Sequence, residues 1–104
     1  MKITKYEHAC FSVELDGKLL IVDPGVFTTN LAAPENVVAV VVTHEHADHF
    51  DPAALGAIIA HNPDAVIIAH ETITRQFGDQ NETLPYMTVA AGDNVSVEPF
   101  ELEF

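Results

Sequence analysis

The sequence predicts an αβ layer structure, and three observations carry that expectation. Apolar and polar residues alternate in the opening segments Lys2–Tyr6 and Ala9–Leu15. Val37–Val42 is an apolar run broken in its β-branching only by Ala39, and Asp51-Pro52 opens a segment with helix start signals. Alternation marks a strand with one buried face, whereas a continuous β-branched run marks a strand buried on both.

Lys2–Tyr6 and Ala9–Leu15 read as strands, and Asp16-Gly17 leads into a third strand at Lys18–Val22. That dipeptide suits the positive φ of a two-residue hairpin turn. Asp23-Pro24-Gly25 ends the strand, and residues 26–36 read as loop or a short irregular helix. The buried strand Val37–Val42 runs into a polar loop, Thr43–Phe50. A helix follows from Pro52 to about His61, with Asp51 as N-cap and proline in the first turn, and Asn62-Pro63 stops it. Ala65–Ala69 is a short apolar strand, Glu71–Phe77 a weaker helix and Gly78–Pro85 a loop. Tyr86–Ala90 and Asn94–Glu98 read as a hairpin about Gly92-Asp93. In the closing segment Phe100, Leu102 and Phe104 share one face, and Glu101 and Glu103 the other. No turn or cap follows that pattern, so residues 1–104 are expected to form a single, partial domain of a larger structure.

A chain of 104 residues and 11.3 kDa is enough for one domain with a core. Its 48% hydrophobic residues and mean hydropathy of +0.17 exclude a disordered composition. Four Lys and Arg against 16 Asp and Glu give a net charge of −12. That charge repels phosphate backbones and anionic lipid, so neither nucleic acid nor a membrane is an expected partner. A bound divalent cation would offset part of it. Cys10 is the single cysteine, so no intrachain disulfide forms. With no apolar leader after Met1 and no long apolar run, the expected location is the cytoplasm.

Six histidines occur, and three of them crowd into Thr43-His44-Glu45-His46-Ala47-Asp48-His49. In an extended loop, alternate positions face one side, which groups His44, His46 and Asp48. His49 needs a turn to join them and can be offset toward a second metal. Imidazole and carboxylate together suit zinc, with iron or manganese as alternatives. The loop also lies where a buried strand gives way to a helix, the usual place for a site in an open αβ sheet.

His-x-His-x-Asp-His between a hydrophobic strand and a helix resembles the metallo-β-lactamase superfamily. Ile21-Val22-Asp23-Pro24-Gly25 resembles that superfamily's first motif. His8-Ala9-Cys10-Phe11-Ser12-Val13-Glu14 resembles the subgroup containing the ascorbate-phosphate lactonase and related zinc-dependent hydrolases. The resemblance implies the N-terminal βα half of an αββα sandwich, with a mixed, mostly antiparallel sheet and helices on one face. It implies His44 and His46 as ligands of a first metal, and Asp48 and His49 as ligands of a second. Asp23 would brace the metal loop through hydrogen bonds, and Asp48 would also orient the nucleophile as a catalytic residue. The family's third His, bridging Asp and final His have no counterparts after His70.

The implied function is metal-dependent hydrolysis of a small ester, lactone or phosphoester by a metal-bound hydroxide, with two zinc ions in the complete site. The acidity of the chain argues against the family's RNA-processing branches. With half of the ligands the chain alone is expected to be inactive. The alternative is a non-catalytic metal-binding half-domain or fragment that self-associates. A homodimer is expected in either case, because the sheet face opposite the helices would otherwise be bare. First-turn amides of the helix at Pro52 would favour an anionic substrate group.

The remaining candidates divide between structure and site. His8 falls at a strand junction, where it makes structural hydrogen bonds or lines the site mouth. His61 is expected at the surface of a helix C-terminus, and His70 at a helix start or loop, with substrate contact as the alternative. Cys10 reads as a buried small hydrophobe. Glu45 and Asp51 read as a solvated loop acid and a helix cap.

Overall fold

A computed structural model describes residues 1–7, 9–25, 34–43, 51–77 and 85–104. Six strands form one sheet in the order β1-β2-β3-β4-β5-β6, and two more, β7 and β8, form a separate hairpin. The strands are β1 Lys2–Lys5, β2 Phe11–Leu15, β3 Lys18–Val22, β4 Val37–Val42, β5 Val66–His70, β6 Tyr86–Val89, β7 Asn94–Val97 and β8 Phe100–Glu103. Among the described residues two helices, α1 at Pro52–His61 and α2 at Glu71–Phe77, lie between β4 and β5 and between β5 and β6.

The meander pairs antiparallel, β1 with β2 and β2 with β3. Asp16 and Gly17 both have positive φ, 52° and 76°, as a two-residue turn matched to strand twist requires. From β3 onward the ladders β3-β4, β4-β5 and β5-β6 are parallel. The sheet is mixed, and its antiparallel ladders belong to the meander. The β4-β5 and β5-β6 ladders are parallel because the crossovers through α1 and α2 return the chain in its original direction.

The core lies on both faces of β4, which explains its unbroken apolar run. On one face Val40 and Val42 pack with Ile21, Ile67 and the helical residues Leu55, Ile58 and Ile73. Both helices therefore cover the same face. On the other face Ala39 and Val41 pack with Leu20, Val22, Ile68, Val89 and Phe100. The pairing skips Val38 between Leu19↔Val37 and Leu20↔Ala39, a local bulge that lets Val38 and Ala39 join the same cluster. Cys10 is fully buried in the helix-side cluster, as a small hydrophobe would be. It sits in the turn before β2, whose strand begins at Phe11, rather than within a strand. The turn closes through the Tyr6 amide, which donates to the Cys10 carbonyl at 2.9 Å.

The hairpin expected between Tyr86–Ala90 and Asn94–Glu98 does not form. Tyr86–Val89 adds to the free edge of β5, with Ile67 opposite Tyr86 and His70 opposite Val89. The turn itself is present. Asp93 donates its amide to the Ala90 carbonyl at 3.1 Å and accepts the Ala90 amide on Oδ2 at 2.9 Å. It carries the chain from one layer to the next, and β7 then pairs with β8. A turn signal fixes where the chain bends; which edge a strand joins is decided by long-range packing.

That hairpin changes the expectation of a bare second face. Val95, Val97, Phe100, Leu102 and Phe104 pack in the same cluster as Leu20, Ala39, Val41 and Ile68, so β7-β8 covers part of the face opposite the helices. Phe100 is buried while Glu101 and Glu103 are exposed, in the predicted alternation.

Asn62 holds α1 to β4. It is buried, and its Oδ1 accepts the Val37 amide at 3.0 Å. Its Nδ2 donates to the Pro34 and Ile58 carbonyls, each at 2.8 Å. One side chain thus ends the helix and anchors the start of the central strand. Tyr86 packs beside the helix-side core, and burial raises its phenol above the ordinary value of 10.0. No helix among the described residues is long and apolar enough to cross a membrane.

Candidate functional site at the parallel strand ends

Because β3, β4, β5 and β6 run parallel, their C-terminal ends share one edge of the sheet. The register aligns Val22 with Val41, Val42 with Ala69, and His70 with Val89. Asp23, Thr43, His70 and Ala90 are therefore the residues that end, or immediately follow, neighbouring strands. Open αβ sheets place ligands at this edge, where loops of different strands converge. The His-rich loop begins here, directly after Thr43.

Asp23 is almost fully buried, at 4% exposure, and grips the start of that loop at two points. Its Oδ1 accepts the Thr43 amide at 2.7 Å, and its Oδ2 accepts the Thr43 hydroxyl. The Asp23 amide donates to the Val41 carbonyl at 2.9 Å, continuing the β3-β4 ladder past the end of β3. Hydrogen bonds to the charged carboxylate offset the cost of burying it. Asp23 has φ of 51°, in the left-handed region that Asp tolerates better than most side chains. The backbone turn at Asp23 thereby aims the carboxylate back along the sheet edge at the next strand.

On the other side of the loop, Asp51 caps α1. Its backbone is extended, and its Oδ1 accepts the Ala53 amide at 3.1 Å. Asp51 is thus a helix cap, and one of the first-turn amides is already engaged by it. His61 is exposed at the end of α1, its Nδ1 beside the Ala57 carbonyl at 3.1 Å. His70 starts α2: its Nδ1 lies 3.2 Å from both the Thr72 amide and the Thr72 hydroxyl. That is N-cap geometry with an imidazole acceptor.

His8, His44, Glu45, His46, Asp48 and His49 lie outside the described residues. Among the described residues no group of three or more His, Cys, Asp and Glu side chains comes together to hold a metal ion. The structure thus shows the frame on either side of the His-rich loop: the Asp23 grip on its first residue and the Asp51 cap after its last. The donor set in the loop, three imidazoles and a carboxylate, matches the preferences of zinc and its neighbours.

A model of the beta-lactamase superfamily domain matches residues 2–101. Protein Rv0786c of Mycobacterium tuberculosis is 30% identical over 95 residues, a stretch covering 91% of this chain and 42% of that protein. A UPF0173 metal-dependent hydrolase of Flavobacterium johnsoniae is 35% identical over 82 residues, covering 74% of this chain and 35% of its own length. Among solved structures, a Parabacteroides distasonis protein described as a metal-dependent hydrolase superposes with a TM-score of 0.77 at 26% identity. That match covers 97% of this chain and 43% of the other. Igni18, a metallo hydrolase of Ignicoccus hospitalis, shares the fold with a TM-score of 0.68 at 23% identity, over 92% of this chain and 42% of the other. The chain therefore spans well under half the length of these relatives.

Proposed function

The chain belongs to the beta-lactamase superfamily, and from that premise we propose that it supplies the strand-end metal loop of a metal-dependent hydrolase. The observation that carries this is the two-point grip of Asp23 on Thr43, one residue before the His-x-His-x-Asp-His run. A buried carboxylate spent on fixing the origin of a loop makes sense when that loop must hold a precise shape. His44 and His46 would hold one divalent metal, and Asp48 and His49 a second. Zinc is the first choice, with manganese or iron as alternatives. When bound, such metals supply an acidified water and positive charge for a developing oxyanion. Asp48 would orient the nucleophile as a hydrogen-bond acceptor. His8 is proposed at the mouth of the site. The substrate class is a small ester, lactone or phosphoester.

Two ligands per metal fall short of the three or four a zinc site takes. The 104-residue chain is therefore expected to show no appreciable turnover. A hydrolysis screen on lactones, esters and phosphoesters tests this, run on the chain and on a version extended to the relatives' length. Chelator-sensitive turnover by the extended protein alone is the expected result. Robust turnover by the short chain would contradict the proposed incompleteness, and inactivity of both across the screen would count against the hydrolase reading.

We also propose that the chain pairs with a second copy. Phe11, Val13, Leu15 and Val66 are only partly buried on the face that β7-β8 shares. A two-fold partner would cover them at about 25 cal/mol per Å² of apolar surface. Sedimentation at moderate salt should show a dimer; a monodisperse 11.3 kDa species at high concentration would rule it out.

A further inference from the structure

A small cleft of about 190 Å³ opens at the same sheet edge, lined by Val41, Thr43, Val89, Ala91, Phe104 and His70 among others. Most of its wall is aliphatic or aromatic. Its size is comparable to the engineered cavity of about 150 Å³ that takes up benzene, so a phenyl or branched alkyl group fits.

His70 gives this cleft a defined polar group. The Thr72 amide can only donate, so the Nδ1 atom it reaches at 3.2 Å must accept. In the neutral ring the proton then sits on Nε2, and the cap on α2 fixes both the tautomer and the ring's position. Nε2–H is left as a donor on an exposed side chain that lines the cleft. An apolar pocket with one oriented donor is how small-molecule sites fix the pose of a carbonyl compound.

We propose that this cleft binds the apolar group of a small carbonyl-containing substrate, and that His70 Nε2–H donates to its carbonyl oxygen. The functional relevance rests on the reading of the strand ends as a hydrolase site; the binding itself does not. His70 is a substrate-positioning residue in this scheme, held by a second role as helix cap. Its sequence signal is weak: a single His after an apolar strand, ahead of a short helix.

The test needs neither metal nor turnover. Acetophenone and ethylbenzene have nearly the same shape, and only the first carries a carbonyl. In metal-free protein, titration of each probe followed by amide chemical shifts should move Val41, Thr43, Val89 and Ala91. Acetophenone should bind about fivefold more tightly, as one neutral hydrogen bond provides. His70→Asn keeps a capping side chain for α2 but removes Nε2. It should abolish that preference, so that the two probes bind with the same affinity. Absence of binding, shifts centred elsewhere, or an unaltered preference in His70→Asn would each overturn the proposal. Loss of metal binding in the hydrolase tests would leave this result untouched, so the two failures are separable.

Discussion

Asn62→Ala is expected to cost about 3 kcal/mol of folding stability, assigning roughly 1 kcal/mol to each hydrogen bond and more to a buried group left unpaired. The side chain makes three such bonds, to the Val37 amide and to the Pro34 and Ile58 carbonyls. Val37 opens the central strand and is itself buried, so water cannot easily replace the lost partner. For a domain near 100 residues, that loss lowers Tm by roughly 12–24 °C. Asn62→Asp should do no better near neutral pH. It keeps an acceptor for Val37 but sets a negative charge against two carbonyl oxygens. Thermal unfolding of both variants checks this, and a loss below about 1 kcal/mol for Asn62→Ala would mean the bonds are replaced.

The second large effect is on metal affinity. Asp23→Ala removes both acceptors from Thr43 and places Ala at a φ of 51°, which it adopts less readily than Asp. Loss of a group that orients a metal loop typically weakens binding about 10–100-fold. Thr43→Val removes only the hydroxyl and should fall at the lower end or below it. Competition with a chromophoric chelator reads the affinities, and circular dichroism confirms that the fold is retained. Unchanged affinity in a folded Asp23→Ala variant would show that the grip on Thr43 does not serve the metal.

What could be read from the sequence was local. Asp16-Gly17 carries its turn type in two residues, and the structure gives both the required positive φ. Asp51-Pro52 likewise announces the cap that forms. The unbroken run of β4 correctly marks burial on both faces. Non-local pairing is where local reasoning failed. Tyr86–Val89 has the pattern of a hairpin strand, but its partner is β5, reached through α2. Asn62 reads locally as a helix stop; its grip on Val37 spans 25 residues and leaves no periodic trace. The last strand, β8, is legible as alternation, while its pairing with β7 and the place of that hairpin over the second sheet face depend on packing that no window of sequence contains.

The site divides in the same way. His44, His46, Asp48 and His49 stand out because ligand spacing within one loop is a local signal, and they lie outside the described residues. Asp23 is visible through the resemblance of its motif, and its bonds to Thr43 depend on the β3-β4 register. The sequence leaves His70 open between a helix-start or loop role and a substrate contact. Its geometry shows the helix-start role, and the capping bond is what defines the ring's remaining donor.

The most direct measurement of the central claim is equilibrium dialysis of zinc and manganese against the purified chain and against His46→Ala. The wild-type chain should take up divalent metal weakly and reversibly, since each metal has only two protein ligands where three or four are usual. His46→Ala should lose most of that uptake while keeping the same circular dichroism. Equal uptake by the two proteins, or tight binding of two zinc ions by a monomeric wild-type chain, would contradict the account.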